Sequence, residues 1–183
     1  DKDGAELKYC NKVKYIDMGH NTSLSDISFV QYMPELEIMI GGGSLVSDLS
    51  AFAHCKKLEF LEMAYCEKIT DISPLAHCES LKFLNISFSN VTSLVPLDAL
   101  KLERFYYIQN ETSDEEEALF EELHPDCWAT FSGVGTDPYT KGWRYEDQGK
   151  TRSEIYNKIR EVFDLDAVDA RIAKQEAAEN DDE

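Results

Sequence analysis

The sequence has little positive charge and no long apolar run. Its 183 residues include 18 Lys and Arg against 36 Asp and Glu, which gives a formal net charge of −18, and the basic residues are not clustered. Nucleic acids and anionic lipids are bound by basic surfaces, so neither is expected as a partner. No apolar run approaches the ~20 residues that a membrane-spanning helix needs, so direct insertion into a membrane is not expected.

Recognisable catalytic motifs are lacking as well. The chain contains no nucleophile elbow, no metal-ligand helix motif and no phosphate loop, and Gly41-Gly42-Gly43 is not followed by Lys and Ser or Thr. The acidic residues are scattered, as they are on an ordinary solvated surface. We therefore predict that the protein is not an enzyme and that it needs no cofactor or metal.

What the sequence does contain is a repeat of 21 to 23 residues. The first apolar residue of each unit, position 0, is followed by further apolar residues at +3 and +5 and by a small side chain at +8. Position 0 is occupied by Val13, Leu36, Leu58, Leu81 and Leu102. Position +8 is occupied by Asn21, Ser44, Cys66, Ser89 and Asn110. This is the pattern of leucine-rich repeats.

The spacing indicates a stack of short strands. Apolar residues at +3 and +5 lie on one face of a strand, and neighbouring strands bury that face together in a parallel sheet. The side chain at +8 is expected to turn inward and to bond the backbone of adjacent coils. Asp26-Ile27-Ser28, Asp48-Leu49-Ser50 and Asp71-Ile72-Ser73 resemble helix starts, and the few remaining residues of each unit fit a 3-10 or turn return.

The predicted fold class is α/β: a leucine-rich-repeat solenoid with concave parallel strands, convex 3-10 or turn returns and a helical C-terminal cap. Residues 1–12 are predicted to be a partial repeat or N-terminal edge, and residues 13–112 the repeats. Residues 113–165 are predicted to be the cap, because Ser113–Glu116 and Thr151–Glu154 are capping boxes. Residues 166–183 form an acidic tail, expected to be a frayed helix or disordered.

The Asp71-Ile72-Ser73-Pro74-Leu75 type of unit resembles the internalin-like leucine-rich repeats of Gram-positive bacteria. It is also similar to repeat regions of surface proteins from gut Firmicutes, and the resemblance covers roughly residues 3 to 131. It departs from the pattern at Gly41, where an apolar residue is usual, and at Ser93, where Asp is usual. The resemblance implies a solenoid that binds proteins or surface ligands, with an extracellular or cell-surface location. The missing leader and the incomplete first repeat suggest a fragment of a longer protein.

Residues at +2 and +4 are expected to face outward on the concave side. The predicted binding residues are Tyr15, Asp17, Ile38, Phe60, Glu62, Phe83, Asn85, Arg104 and Tyr106. An exposed row of aromatic residues with Arg has the composition of a binding hot spot. The alternative is that neighbours in the row simply cover one another. A second candidate surface is the edge that carries His20, Tyr65 and Phe88.

The five cysteines are an odd number and suggest no disulfide framework. His54-Cys55 and His77-Cys78 recur one repeat apart, which would allow zinc-type ligands or a disulfide. Because Cys10 and Tyr32 take the matching place in other units, we favour an ordinary buried side chain and mostly free thiols.

The predicted function is a non-catalytic protein-binding or surface recognition module that works as a monomer. Its partner is an unknown protein or surface ligand. The alternative is a structural spacer, with no ligand of its own, within a larger bacterial surface protein.

Overall fold

The computed structural model describes residues 9–131 and, further along the chain, residues 158, 161, 162, 164, 167, 170, 171, 173 and 174. The chain divides into two compact units, residues 1–135 and 136–183. In the second unit, residues 158, 161, 162, 167, 170, 171, 173 and 174 are α-helical. No helix among the described residues is long and apolar enough to cross a membrane.

The first unit contains a six-stranded parallel sheet in chain order, with one α-helix before the last strand. The strands are β1 (Tyr15–Asp17), β2 (Ile38–Ile40), β3 (Phe60–Glu62), β4 (Phe83–Asn85), β5 (Arg104–Tyr106) and β6 (Trp128–Thr130), and the helix is α1 (Asp114–Leu123). Equivalent repeat positions pair directly, for example Phe60 with Phe83 and Leu61 with Leu84. The predicted leucine-rich-repeat solenoid and its register are therefore confirmed.

Between residues 10 and 131, four 3-10 helices form the return segments: Ser28–Tyr32, Ser50–His54, Ser73–His77 and Val95–Leu97. In the first three, an Asp carboxylate accepts the N–H of the Ser two residues later, at 2.7–2.8 Å. The Asp lies one residue before the helix cap, where it orients the first turn. The C-cap residue that follows each of these three helices is Met33, Cys55 or Cys78, so the equivalence of Tyr32 with the cysteines was wrong by one residue.

The hydrophobic core lies between the sheet and the return segments. Residues at +3, such as Leu61 and Leu84, are fully buried there together with Phe52 and Leu75 from the returns. Burying one such side chain contributes roughly 1.5–3 kcal/mol, so the repeated apolar positions account for most of the stability of the stack.

Four of the five residues at +8 turn inward, and Cys66 and Asn110 bond the backbone of the preceding coil as expected. Ser44 Oγ lies 3.2 Å from Cys66 Sγ, and Ser89 Oγ lies 2.6 Å from Asn110 Oδ1. Asn110 also donates from Nδ2 to the carbonyl of Ile86. Asn21 is the exception, because it is exposed and its side-chain oxygen accepts the local N–H of Ser23.

Helix α1 and strand β6 follow the last repeat, as predicted. Ser113 caps α1 by accepting the N–H of Glu116 at 3.3 Å. Phe120 reaches the core from α1, and His124 Nε2 lies 3.1 Å from the carbonyl of Leu97 in the last return. The predicted boundaries at 113 and 165 do not coincide with the division at 135, and the second capping box lies outside the described residues. These domain limits therefore stay predictions.

Candidate functional site

The predicted binding residues lie on the sheet face opposite the core, as their spacing indicated. Residues at +3 belong to the core cluster, whereas Ile38, Phe60 and Phe83 at +2 do not. The strand register aligns all the predicted residues across β1 to β5 in two rows, one at +2 and one at +4. The topology therefore brings them together on a single face.

The expectation that these rows are exposed is wrong for most of their members. Ile38, Phe60, Phe83 and Asn85 are 0% exposed, Glu62 is 3% and Tyr106 is 4%. The two residues on β1 do face solvent: Tyr15 is 39% exposed, and Asp17 is exposed as well. Arg104, at the other end of the +2 row, is half-buried.

Part of this burial comes from an aromatic row formed by Phe60, Phe83, Tyr106 and Trp128. The Phe60 and Phe83 rings stack with centroids 4.1 Å apart and planes at 16°. Tyr106 lies 5.6 Å from Phe83 and meets Trp128 edge to face at 5.7 Å. Such pairs are worth about 0.5–1.5 kcal/mol each beyond area burial, so the row also stabilises the sheet.

Trp128 was not among the predicted site residues, although it extends the +2 row. It pairs with Arg104 in the register of β5 and β6, and the Arg104 guanidinium carbon lies 5.2 Å from its ring centroid. This is a cation–π contact. Treating the Cys127–Phe131 strand as a sixth coil would have revealed it.

Polar residues at +4 have a structural role at the strand exits. Asp17, Glu62 and Asn85 each accept the backbone N–H two residues later, at 3.0 to 3.1 Å. Among the buried side-chain nitrogen and oxygen atoms that the structure describes, Asn85 Nδ2 has no hydrogen-bond partner. It is therefore a spare donor on the sheet face, since a buried amide normally bonds through both ends.

The glycine run at the exit of β2 is explained by packing. A Cβ on Gly41 would come within 2.7 Å of Met63 Sδ, so Met63 fills the space that the usual apolar residue would take. A Cβ on Gly42 would come within 2.6 Å of Glu62 Oε2 and 2.8 Å of the Ala64 carbonyl oxygen. The exit of the second strand therefore needs small residues here.

The second candidate surface is a column of residues at +7, the residue that turns the chain away from each strand. All five adopt positive φ: His20, Gly43, Tyr65, Phe88 and Gln109, with φ between 54° and 71°. Left-handed backbone costs a non-glycine residue roughly 1–2 kcal/mol. Tyr65 and Phe88 nevertheless occupy this position and stack with centroids 4.2 Å apart and planes at 8°.

Burial suppresses ionisation of several of the cysteines. All five are free thiols, and Cys55 Sγ and Cys78 Sγ lie near backbone carbonyl oxygens of the preceding coil. Burial raises the pKa of Cys55, Cys78 and Cys127 to about 12. In the part of the chain that the structure describes, no group of three or more His, Cys, Asp or Glu side chains is placed to hold a metal ion.

The chain was compared with known proteins by sequence and by structure. No family model and no curated protein sequence matches it. Among solved structures, an internalin (InlF) from Listeria monocytogenes matches with a TM-score of 0.62 and 19% identity, covering 72% of this chain and 45% of that one. A leucine-rich-repeat protein from Leptospira interrogans matches with a TM-score of 0.64 and 22% identity, covering 69% and 33%.

Internalin C2 from Listeria monocytogenes matches with a TM-score of 0.50 and 19% identity, covering 70% of this chain and 68% of that one. The chain thus spans less than half the length of the first two structures. Identities below one quarter bear on the fold and not on the partner. By its parallel six-stranded sheet, its 3-10 returns and these likenesses, the chain has a leucine-rich-repeat fold similar to that of internalins.

Proposed function

We propose that the chain is a non-catalytic recognition module that binds a protein through the sheet face opposite its core. The observation that carries the proposal is the composition of that face. A sheet face that only meets water is polar, whereas this one carries Ile38, Ile40, Phe60 and Phe83 in register. The centre of the face is shielded from solvent, so direct contact with the partner falls to Tyr15 and Asp17 at its exposed end. Tyr is among the residue types enriched in binding hot spots.

The shape of the face favours a polypeptide over a small molecule. Six strands at about 4.8 Å spacing extend the face over roughly 24 Å, which suits an extended contact. Tyr15 and Asp17 present a ring and a carboxylate to solvent at one end. A cationic group of the partner opposite Asp17 would align the partner along the rows.

The test exchanges the exposed end of the face without touching its buried centre. Tyr15→Ser with Asp17→Asn removes the ring and the charge, while the amide oxygen of Asn keeps the acceptor for the Gly19 N–H. The matched control is Tyr32→Ser, because Tyr32 is a similarly exposed aromatic residue at the end of a return segment. Replacing Phe60 or Phe83 is unsuitable, since removing a buried Phe costs about 3–5 kcal/mol.

The immobilised chain is used to capture proteins from surface fractions, and the captured protein is purified and titrated against each variant by calorimetry. We expect the face variant to bind at least about tenfold more weakly, since a hot-spot residue contributes about 2 kcal/mol or more. Tyr32→Ser is expected to bind within about twofold of the wild type. Equal affinities of the wild type, the face variant and Tyr32→Ser would exclude the sheet face as the binding surface.

A structural spacer is the second candidate, and the burial of Ile38, Phe60 and Phe83 favours it. A face whose centre is shielded from solvent can serve the stability of the stack alone. In that case, substitutions on this face would not change the affinity for any purified protein. The same titrations therefore separate the two candidates.

We further propose an extracellular or cell-surface location, supported by the internalin-like fold. Protease treatment of intact source cells, followed by mass spectrometry of the released peptides, tests this directly. Peptides of this chain released only after cell lysis would contradict it.

A further inference from the structure

Three exposed hydrophobic residues lie where helix α1 meets the fourth return segment. Val95 is 61% exposed, Leu119 48% and Leu123 47%. Single exposed hydrophobic residues are common on protein surfaces, whereas a contiguous group marks an interaction surface. The question is therefore whether these three side chains form one group.

The contacts of α1 place the three side chains side by side. Glu116 accepts a hydrogen bond from the Leu94 N–H at 2.6 Å, so this side of α1 faces the fourth return segment. Leu119 and Leu123 follow Glu116 by three and seven residues, which puts them on the same side of the helix. Val95 comes directly after Leu94. The three residues therefore border one junction, and we call them the junction patch.

Attachment of α1 to the solenoid does not account for the junction patch. Phe120 is buried in the core and stacks on His124 with ring centroids 4.1 Å apart. His124 Nε2 in turn lies 3.1 Å from the Leu97 carbonyl oxygen. Helix propensity explains an exposed leucine on α1, but it does not explain Val95, which lies in a 3-10 helix.

The rim of the junction patch is acidic. Glu115 and Glu122 lie four residues before and three residues after Leu119, and both are exposed. Asp98 is exposed at the end of the fourth return segment. Neither α1 nor Val95–Leu97 contains Lys or Arg. An acidic rim on a chain with a net charge of −18 opposes a second copy of the chain and an anionic membrane.

We propose that the junction patch binds a basic amphipathic helix of a partner protein. Such a helix carries apolar side chains on one side with Lys or Arg beside them, which matches an apolar patch with an acidic rim. Leu119 and Leu123 form a ridge on α1, and ridges of this kind pack into the grooves of a second helix. The 10 residues of α1 extend about 15 Å, which allows a contact of nearly three turns. This inference is independent of the sheet-face proposal, because the two surfaces share no residue.

The first experiment uses synthetic peptides as probes. A peptide of about 14 residues, with Leu on one side of the helix and Lys on the other, is titrated into the isotopically labelled chain and followed by NMR. We expect saturable shifts of the backbone amides of Val95, Leu119 and Leu123. A scrambled peptide of the same composition, and a peptide with Glu in place of Lys, should bind at least about tenfold more weakly. Equal binding of either comparison peptide overturns the inference.

The second experiment removes the ridge without changing the charge. Leu119→Ser with Leu123→Ser should bind the Leu–Lys peptide at least about tenfold more weakly, because apolar area is lost from the contact. Leu45→Ser is the matched control, since Leu45 is an exposed leucine of another coil, and it should bind within about twofold of the wild type. An unchanged affinity of the double variant overturns the inference.

The third experiment changes the rim and keeps the apolar side chains. Glu115→Gln with Glu122→Gln should weaken binding of the Leu–Lys peptide at least about threefold at low ionic strength. The control, Glu67→Gln with Glu121→Gln, removes the same charge from an earlier coil and from the side of α1 that faces β6. An equal loss in the two variants would assign the effect to net charge and overturn the inference.

Other occupants of the junction patch are tested with the leucine double variant. We expect sedimentation equilibrium to show monomers of the wild type and of this variant. A wild-type dimer that the substitutions dissociate would identify a second copy as the occupant and overturn the inference. Binding to phosphatidylglycerol vesicles that the substitutions abolish would identify a membrane and overturn it as well. Every variant leaves the sheet face unchanged, so failure of these tests leaves the sheet-face proposal intact.

Discussion

At the scale of single residues, the same repeat position serves different physical needs. At +8, Cys66 and Ser89 turn inward and contact backbone carbonyls, whereas Asn21 stays exposed. At +4, Glu62 and Asn85 satisfy the backbone N–H groups that would otherwise be orphaned where a strand ends. Residue type is therefore explained by the local hydrogen-bonding demand rather than by chemistry with a ligand.

The cysteines provide a prediction at this scale. Thiols react as thiolates, so Cys55, Cys66 and Cys78, which are buried and have raised pKa values, should resist Ellman's reagent in the folded protein. Cys10 is only partly buried and should react first. All five should react after denaturation in guanidinium chloride. Rapid native-state modification of Cys55 or Cys78, located by mass spectrometry, would contradict this.

The same thiols predict a loss of stability at alkaline pH. Their folded pKa of about 12 lies above the ordinary value of 9.0, so the unfolded chain ionises first as the pH rises. The stability they confer is fully present below pH 9 and is lost as the pH rises from 9 towards 12, and Tyr107 acts in the same direction. Thermal unfolding across this range should show a falling Tm. A Cys55→Ala/Cys78→Ala variant should fall less steeply, and an equal slope would assign the effect elsewhere.

At the scale of elements, helix α1 supplies a carboxylate that the fourth return segment lacks. In the earlier return segments, an Asp carboxylate accepts a nearby backbone N–H. The equivalent residue in this repeat is Ser93, whose Oγ lies 3.4 Å from the Val95 nitrogen. Glu116 of α1 accepts hydrogen bonds from Ser93 Oγ at 2.9 Å and from the Leu94 N–H at 2.6 Å. Ser113 therefore caps α1 as a capping box predicts, whereas Glu116 was expected to bond back to the Ser113 N–H and bonds to the neighbouring repeat instead.

This arrangement predicts that Glu116→Ala destabilises the protein by about 2–3 kcal/mol, because two hydrogen bonds to a carboxylate are lost. Glu115→Ala, an exposed neighbour in the first turn of α1, should change the free energy of unfolding by about 0.5 kcal/mol or less. Urea denaturation measures both.

Ser93→Asp provides the complementary arm of the test. In the Glu116→Ala background it restores a local carboxylate and should recover part of the lost stability. In the wild type it places two carboxylates together and should destabilise. Purely additive effects of the two substitutions would show that Glu116 does not substitute for the missing Asp.

At the scale of the whole molecule, ion pairs between coils stabilise the fold, and the net negative charge destabilises it. Four described ion pairs join a Lys to a Glu in the adjacent coil, such as Lys14 with Glu37 at 2.9 Å and Lys57 with Glu35 at 2.6 Å. Exposed pairs are worth only about 0.2–1 kcal/mol each. A net charge of −18 opposes them, because it repels itself throughout the folded chain.

Repulsion is therefore expected to dominate, and sodium chloride should raise the Tm by screening it. Differential scanning calorimetry at low and moderate ionic strength is the measurement. Lys57→Gln removes one ion pair and makes the net charge more negative, so it should lower the Tm at low salt and increase its salt dependence. A Tm that falls with added salt would show that the ion pairs outweigh the repulsion.

The spacing of apolar residues was sufficient to predict the strands, their parallel order and their register. Leu61 and Leu84 recur at one offset from Leu58 and Leu81, and stacking equivalent positions is the one arrangement that buries them all. The same spacing placed Phe60 and Phe83 on the opposite face. Successive side chains of a strand point to opposite faces of the sheet, so the face that each residue occupies follows from the order of residues along the chain.

The solvent exposure of Phe60 and Phe83, the contacts of Glu116 and the junction patch were decided only by the tertiary structure. An exposed fraction depends on every atom that comes close in space, and a hydrogen-bond partner can lie in a coil far along the chain. A surface patch depends on which elements pack side by side, as where α1 meets the fourth return segment. A local repeat pattern determines which side of the sheet a residue faces, but not what it meets there.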